Sequence, residues 1–176
     1  MPYVRSMEYD QYDNPAAYYL VWRDKNNIAR GVSRLYPTDR PYMLKDVFSY
    51  LVDKIELPST HTVWEGSRFC VDQSLPPEQR KRVIQEIMLA YLEFGLKMGI
   101  KRFIGIMLPA YWRNIFISNG WDVDFLGDAK VVDEKHRVRS GWVEVSETNL
   151  KKVRERTGIL TPVAIFGTEK RQKAAA

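Results

Sequence analysis

Cysteine is almost absent from this 176-residue sequence, which contains only Cys70. A single cysteine excludes an internal disulfide and favours a reducing compartment. Long apolar runs are also missing, so neither a membrane span nor a signal-peptide core is expected. The two histidines, His61 and His136, have no cysteine nearby in sequence, so we expect no metal site. These absences predict a cytoplasmic protein that does not enter a membrane.

The composition is that of a globular protein, with 45% hydrophobic and 28% charged residues. We expect one domain over residues 1–167, followed by a disordered basic tail over residues 168–176. The formal net charge is +5, and part of it lies in that tail. A basic protein attracts acidic partners. Nucleic acid is not expected among them, because no nucleic-acid-binding motif is present.

The order of strand-like and helix-like segments predicts an α/β fold, in the form of an α+β sandwich with a central sheet. Aromatic and β-branched runs bounded by turn residues predict strands at 17–23, 28–36, 63–72, 102–108, 121–126 and 138–145. Apolar spacing, first-turn prolines and capping residues predict helices at 44–51, from Pro77 to Gly99, at 109–119 and after Ser146.

Charged residues occur at three places where an apolar pattern is expected. The simplest alternative explanations are a solvated loop, an outward-facing arginine and a surface ion pair. Strict strand alternation would place Glu65 and Arg68 on opposite faces of the sheet, but a β-bulge at Gly66 would bring both to one side. The charged residues are Glu8, Asp10, Asp13, Arg34, Glu65 and Arg68.

Together these acids and arginines could form one polar pocket. Carboxylates would bind a cationic ligand, while the arginines would balance them or bind a substrate carboxylate in bidentate fashion. A carboxylate beside an arginine tends to stay ionised, and it can then act as a base or bind a cation.

The segments that carry these charges resemble the LuxI-type autoinducer synthases, the acyl-homoserine-lactone synthase family. The resemblance is specific over residues 7–72 and compatible to about residue 126. The matching segments are MEYDQYDNPAAYYLVW (7–22), GVSRLYPTDRPYML (31–44) and VWEGSRFCVD (63–72).

The resemblance implies a GNAT-like acyltransferase fold, in which helices flank a mixed sheet with a V-shaped cleft. It implies transfer of an acyl group from acyl carrier protein or acyl-CoA to the amine of S-adenosylmethionine. Lactone closure then releases methylthioadenosine and yields a quorum-sensing signal. S-adenosylmethionine is a substrate here, and no cofactor is implied.

The resemblance also assigns roles to individual residues. It places Glu65 and Arg68 in catalysis, with Glu65 as the candidate base for the amine. Ile106 stands where the family has a threonine associated with 3-oxo-acyl chains, so an unsubstituted chain is expected. The substrate-binding set is Glu8, Asp10, Asp13, Arg34, Phe48, Ile106 and Trp112.

Several of the predicted positions have an alternative role. Phe48 could equally be a core residue. The expected acyl tunnel consists of residues that could also be core, namely Phe103, Ile104, Ile106, Met107, Leu108, Trp112 and Phe116. Basic residues that could meet an acidic carrier protein, or form an ordinary solvated surface, are Arg80, Lys81, Arg82, Lys101, Arg102 and Arg113.

One departure from the family and one rival enzyme class keep other functions open. Six residues precede Met7, where the family has a longer segment that closes over S-adenosylmethionine, so we expect either a truncated chain or an incomplete nucleotide pocket. This favours a non-catalytic homologue as an alternative. The other alternative is a GNAT N-acetyltransferase, whose glycine-rich turn binds pyrophosphate. The corresponding residues 72–77 contain no glycine, which favours the synthase.

Overall fold

A computed structural model of the chain describes residues 3–4 and 7–166. The predicted basic tail at 168–176 lies outside the described residues. The strands are β1 (Tyr3–Val4), β2 (Met7–Glu8), β3 (Tyr18–Arg23), β4 (Ala29–Pro37), β5 (Val63–Val71), β6 (Arg102–Met107), β7 (Asp124–Phe125), β8 (Lys130–Val131) and β9 (Arg137–Glu144). The α-helices are α1 (Met43–Val47), α2 (Pro77–Met98), α3 (Pro109–Tyr111) and α4 (Glu147–Thr157).

A mixed sheet runs through the molecule in the order β3-β4-β5-β6-β9-β7, and β8 pairs with β9. The β5–β6 pair is parallel, while its neighbours in the sheet are antiparallel. The β3–β4 hairpin closes at Asp24, whose carboxylate accepts hydrogen bonds from the N–H groups of Asn26 and Ile28. This side-chain-to-backbone pattern is why aspartate is common in turns. The predicted α/β fold with a mixed central sheet is confirmed.

Helix α2 covers one face of the sheet. Pro77 lies in its first turn, and Gly99 ends it with a φ of 70°, a left-handed conformation that glycine adopts without steric cost. The helix buries an apolar stripe against residues of β4, β5 and β6, including Leu35, Trp64 and Phe103. Most of the hydrophobic core lies in this layer.

The opposite face of the sheet is covered by α1 and by the loop between β2 and β3 (residues 9–17), which we call the N-terminal loop. A second apolar cluster lies here, and it includes Tyr12, Tyr42 and Leu44 from the covering segments together with Tyr36 and Ile104 from the sheet. The charged residues singled out in the sequence are on this side, so α1 and the N-terminal loop determine what reaches them.

The helix predicted after Pro109 is irregular. Helix α3 passes into a π-helical turn at Trp112–Phe116 and a 3₁₀ turn at Ile117–Asn119 before Gly120 ends it. Asn119 explains the irregularity, because its side-chain amide donates to the carbonyl oxygen of Ile115 while its own oxygen accepts from Gln85. The strand predicted at 121–126 is reduced to Asp124–Phe125.

Helix α4 begins as predicted, with the Ser146 hydroxyl accepting a hydrogen bond from the N–H of Asn149. Among the described residues, no helix is both long enough and apolar enough to cross a membrane.

Replacing Leu92 by alanine should destabilise the fold strongly. Leu92 is fully buried in α2, so its removal leaves a cavity and costs about 2–5 kcal/mol of unfolding free energy. Met98→Ala on the same helix is the control, because Met98 is exposed and should cost less than about 1 kcal/mol. Urea unfolding monitored by tryptophan fluorescence measures both, and equal losses would contradict this packing.

Candidate active site

Arg34 lies at the centre of a buried ionic cluster. It is 1% exposed, and its Nη1 is 2.6 Å from a carboxylate oxygen of both Asp10 and Asp13. A buried guanidinium needs charged partners of this kind to offset its desolvation. The alternative of an outward-facing arginine is therefore wrong, because the N-terminal loop folds over β4 and supplies both acids.

Arg68 completes the cluster from the neighbouring strand. Its Nη2 lies 2.9 Å from Asp10 and 3.0 Å from Asp13, and its Nη1 lies 3.0 Å from Glu8. We call Glu8, Asp10, Asp13, Arg34 and Arg68 the acid–arginine cluster. The structure thus brings five of the predicted residues into direct contact.

A β-bulge places Arg68 in this position. The β4–β5 register passes from Arg34↔Ser67 to Val32↔Cys70, so the irregularity includes Arg68, which has a φ of 51°. The prediction of a bulge at Gly66 is corrected in its location. Gly66 remains in regular register with Leu35, and the strained residue is Arg68, whose ionic contacts offset an unfavourable left-handed backbone.

The loop acids are held in their ionised form. Burial alone would raise the pKa of Asp13, but hydrogen bonds from Tyr19, from the backbone N–H of Asp10 and from Arg34 lower it to about 2. Burial of Asp10 is likewise outweighed by Arg34 and by the backbone N–H of Tyr12, and its pKa is lowered. Both carboxylates therefore carry full negative charge at neutral pH.

Glu65 lies on the same face of the sheet in a different environment. It is 1% exposed, and its carboxylate accepts hydrogen bonds from the N–H groups of Met43, at 3.2 Å, and Leu44, at 2.7 Å. Burial raises its pKa to about 7, although these N–H groups and the charge of Arg34 act in the opposite direction. Glu65 thus titrates near neutral pH and also anchors the start of α1.

The sheet splits between β5 and β6. Within the described residues, these strands pair only from Val63 to Glu65 and from Arg102 to Ile104, and then they diverge. A cavity of about 710 Å³ lies at the split. Its lining includes most of the predicted acyl-tunnel residues, namely Phe103, Ile104, Ile106, Met107, Trp112 and Phe116. This is the predicted V-shaped opening.

The remaining predicted residues are distributed around the split. Ile106 and Trp112 line the cavity, and the Trp112 indole N–H donates to the carbonyl oxygen of Arg139. Phe48 packs against the apolar cluster beneath α1 and is not among the residues that line the cavity. Leu108, the other predicted tunnel residue, is not among them either.

The basic residues considered for carrier docking have different local environments. Arg80 lines the cavity, whereas Arg82 pairs with Glu86 on the surface of α2. Arg102 lies over the ring of Trp142, 4.5 Å from its centroid. Among the six residues, Arg80 is the one that reaches the cavity lining.

Sequence reasoning missed three hydroxyl groups at the site. The Tyr19 hydroxyl donates to Asp13, and the Ser67 hydroxyl accepts from Nε of Arg34 at 3.0 Å. Tyr91 of α2 lines the cavity and bonds to a buried serine of β4. Ser67 could have been found from its position between Glu65 and Arg68, but Tyr91 reads as an ordinary residue of an apolar stripe.

A sequence model described as autoinducer synthase matches residues 2–153, which is most of the chain. This chain belongs to the autoinducer synthase family. The acyl-homoserine-lactone synthase of Pseudomonas aeruginosa is 30% identical over 148 residues, covering 84% of this chain and 70% of that protein. The enzyme of the same name from Ralstonia nicotianae is 34% identical, covering 78% and 69% respectively.

Solved structures agree with this membership. The CoA-dependent acyl-homoserine lactone synthase BjaI, solved with S-adenosylmethionine and isopentyl-CoA, superposes with a TM-score of 0.77 at 30% identity. The match covers 90% of this chain and 72% of BjaI. The predicted family and GNAT-like fold are confirmed, and this autoinducer synthase is an acyl-transferring enzyme.

Replacing Arg34 by alanine should cost at most about 3–5 kcal/mol of unfolding free energy, because Asp10 and Asp13, which are 15% and 11% exposed, lose one of their two arginine partners. Arg82→Ala, which breaks a half-exposed pair with Glu86, is the control and should cost about 0–1 kcal/mol. Urea unfolding at pH 6 measures both variants.

The difference in unfolding free energy between wild type and Arg34→Ala should depend on pH. The folded pKa of Asp13, about 2, is below its ordinary value of 3.8, so its stabilising contribution is present above that ordinary value. The contribution is lost as the pH falls toward 2. The difference in unfolding free energy between the two proteins should therefore decrease from pH 5 to pH 3. An increase over this range would contradict the pairing of Arg34 with Asp13.

Proposed function

We propose that this autoinducer synthase joins an acyl group from a thioester to the amine of S-adenosylmethionine at the junction of the acid–arginine cluster and the cavity. One observation carries the proposal. Arg68 bonds to Glu8, Asp10 and Asp13 and also lines the cavity, so the polar and apolar halves of the site share a residue. The reaction needs this combination, because it joins a charged substrate to an apolar chain.

The charges of the acid–arginine cluster suit S-adenosylmethionine. Three carboxylates exceed two guanidinium groups by one negative charge, and the substrate, with its sulfonium, ammonium and carboxylate groups, carries one net positive charge. Low pKa values keep Asp10 and Asp13 ionised, so the attraction persists across the physiological range. In this proposal an arginine of the cluster binds the substrate carboxylate.

The cavity suits the acyl thioester. It is lined by aromatic and aliphatic side chains from β5, β6, α2 and the π-helical turn, and a volume of about 710 Å³ is within the usual range for ligand sites. The BjaI structure, solved with isopentyl-CoA, supports acyl-CoA as one donor. Acyl carrier protein is the other proposed donor, and both would present the acyl group on the same pantetheine arm.

The backbone before α2 argues against the N-acetyltransferase alternative. In residues 72–77, the N–H groups of Ser74 and Leu75 bond to Asp72, while Pro76 and Pro77 have no N–H. The N–H groups of Ser74 and Leu75 are thus already paired, whereas a glycine-rich turn uses such groups to bind pyrophosphate. A donor held through its acyl-pantetheine end is therefore favoured.

The proposed chemistry has two steps. In the first, the neutral amine attacks the thioester carbonyl, an amide bond forms, the C–S bond breaks and the thiol leaves. In the second, the substrate carboxylate attacks the carbon next to the sulfonium. The lactone closes, and methylthioadenosine leaves with the electron pair of the broken C–S bond.

Glu65 is the proposed base for the first step. A free α-amino group has a pKa of about 7.7–8.0, so a carboxylate with a pKa of about 7 matches it well. A positioned base contributes about 10²–10⁴-fold to rate. Because Glu65 is almost completely buried, the proton has to reach it from a bound amine or through a water in contact with both groups.

Glu65→Gln should lower amide formation by about 10²–10⁴-fold. In wild type the rate should rise with pH through about 7, as Glu65 ionises, and the variant should lose this limb. Stopped reactions with S-adenosylmethionine and an acyl thioester, assayed for released thiol from pH 5.5 to 8.5, measure the effect. Glu86→Gln is the control, since Glu86 bonds to Trp22 and Arg82 away from the site.

The dependence of the rate on pH also shows whether Glu65 acts as a base or only holds the start of α1. If Glu65 acts solely through Met43 and Leu44, its glutamine variant keeps the rise near pH 7 and changes the thermal unfolding midpoint or the KM for S-adenosylmethionine. Wild-type turnover with an unchanged profile would remove Glu65 from the mechanism.

The products should carry unsubstituted acyl chains, since Ile106 presents no hydroxyl to the cavity where a 3-oxo group would need a donor. The test mixes the protein with S-adenosylmethionine and straight, branched and 3-oxo acyl chains, each on CoA and on carrier protein, and identifies the lactones by mass. Mainly 3-oxo products would contradict the Ile106 assignment. S-adenosylmethionine binding without any product would favour the non-catalytic alternative.

A further inference from the structure

Two buried hydroxyl groups meet in the apolar layer between α2 and the sheet. Ser33 of β4 is completely buried, and its Oγ lies 2.6 Å from the hydroxyl oxygen of Tyr91, which is 3% exposed. The ring of Tyr91 packs edge-on against Phe103, with 4.8 Å between centroids, and lines the cavity. Phenylalanine and alanine would fill these positions without burying polar atoms.

The carbonyl oxygen of Ser67 can only accept a hydrogen bond, and this fixes the donor and acceptor in both bonds that Ser33 makes. The Ser33 hydroxyl donates its hydrogen to the carbonyl oxygen of Ser67 at 2.9 Å. A serine hydroxyl has one hydrogen, so Tyr91 must donate to Ser33. We call Tyr91, Ser33 and Ser67 the hydroxyl relay. It runs from the cavity wall to the backbone of β5.

The hydroxyl relay ends where the acid–arginine cluster begins. The Ser67 side chain accepts a hydrogen bond from Nε of Arg34, and the next residue is Arg68 with its left-handed backbone. On the other side of Ser67, a Cβ on Gly66 would lie 2.8 Å from the Tyr91 hydroxyl oxygen. The Tyr91 hydroxyl thus fits against the backbone just before the bulge.

We infer that Tyr91 is a positioning residue that, through Ser33, fixes the Ser67–Arg68 bulge and so aligns the acid–arginine cluster with the acyl cavity. Residues with a positive φ that are not glycine persist where surrounding contacts hold them, and the relay supplies such a contact on the Ser67 carbonyl. This inference rests on the proposed function, because it concerns the binding of S-adenosylmethionine by the cluster.

Tyr91→Phe tests the inference, with Tyr111→Phe as its matched control. Tyr111 lines the same cavity, and within the described residues its hydroxyl makes no hydrogen bond, so each variant removes one hydroxyl from one cavity. Losing one neutral hydrogen bond corresponds to about a threefold to tenfold change in affinity. Calorimetry should show S-adenosylmethionine bound that much more weakly by Tyr91→Phe and unchanged by Tyr111→Phe.

Ser33→Ala provides a second variant that leaves the cavity lining intact. Because Ser33 connects Tyr91 to Ser67, its loss should weaken S-adenosylmethionine binding at least as much as Tyr91→Phe. The double variant should match Ser33→Ala alone, since a relay broken once has nothing further to lose. Independent, additive effects of the two changes would overturn the relay.

The remaining outcomes are distinguishable. Unchanged S-adenosylmethionine affinity in folded Tyr91→Phe, or a change only in the KM for the acyl thioester, overturns the inference and makes Tyr91 a cavity wall. The inference is also overturned if Tyr111→Phe weakens S-adenosylmethionine binding as much as Tyr91→Phe does. The proposed function fails separately, if wild type neither binds S-adenosylmethionine nor forms a lactone from any donor.

Discussion

The pairing of Arg34 and Arg68 with Asp10 and Asp13 is the interaction on which the site depends. A guanidinium that is 1% exposed requires charged partners, and Arg34 forms its ion pairs with Asp10 and Asp13, which lie outside the sheet. The partners come from a loop before the first long strand. Hydrogen bonds inside that loop, from the N–H of Asp10 to Asp13 and from the N–H of Tyr12 to Asp10, turn both carboxylates toward the sheet. The loop and sheet are thus joined by charge.

The environment of each carboxylate separates two chemical roles. Asp10 and Asp13 are surrounded by donors and cations, so their pKa values fall and they remain ionised. Glu65, deeper in the same face, meets mainly backbone and apolar groups, and burial raises its pKa to about 7. Permanent charge suits the binding of a sulfonium substrate, and a group that titrates near neutrality suits proton transfer. One face of the sheet therefore provides both.

The division of β5 from β6 gives the site its second half. Gly105 has a place in this geometry, because a Cβ there would lie 2.8 Å from the carbonyl oxygen of Gly66. The strands are in close contact at these two glycines and separate immediately afterwards, and the cavity opens at that point. Arg68 follows two residues after Gly66, which is why a single side chain contacts both the acids and the cavity.

Local patterns were enough to predict most elements, because helices and strands have distinct periodicities and ends. Pro77 and Gly99 marked α2, and Ser146 marked α4. The irregular turn after Pro109 was not predictable in this way, since it depends on Asn119 bonding to Gln85, 34 residues earlier in the chain. The sequence predicts the bulge at Gly66, because glycine is the usual signal for one. In the structure the left-handed residue is Arg68, and its ion pairs with three acids offset the energetic cost of that backbone conformation.

The sequence by itself determined the family, the strand and helix order and the set of charged residues, because these are carried by residue identity and spacing. Only the tertiary structure decided how those charges are paired, that Glu65 also holds the start of α1, and that Tyr91 reaches the backbone of Ser67 through Ser33. Such relations depend on how strands diverge and how a helix lies across them. These are long-range packing geometries, and no local pattern of residues specifies them.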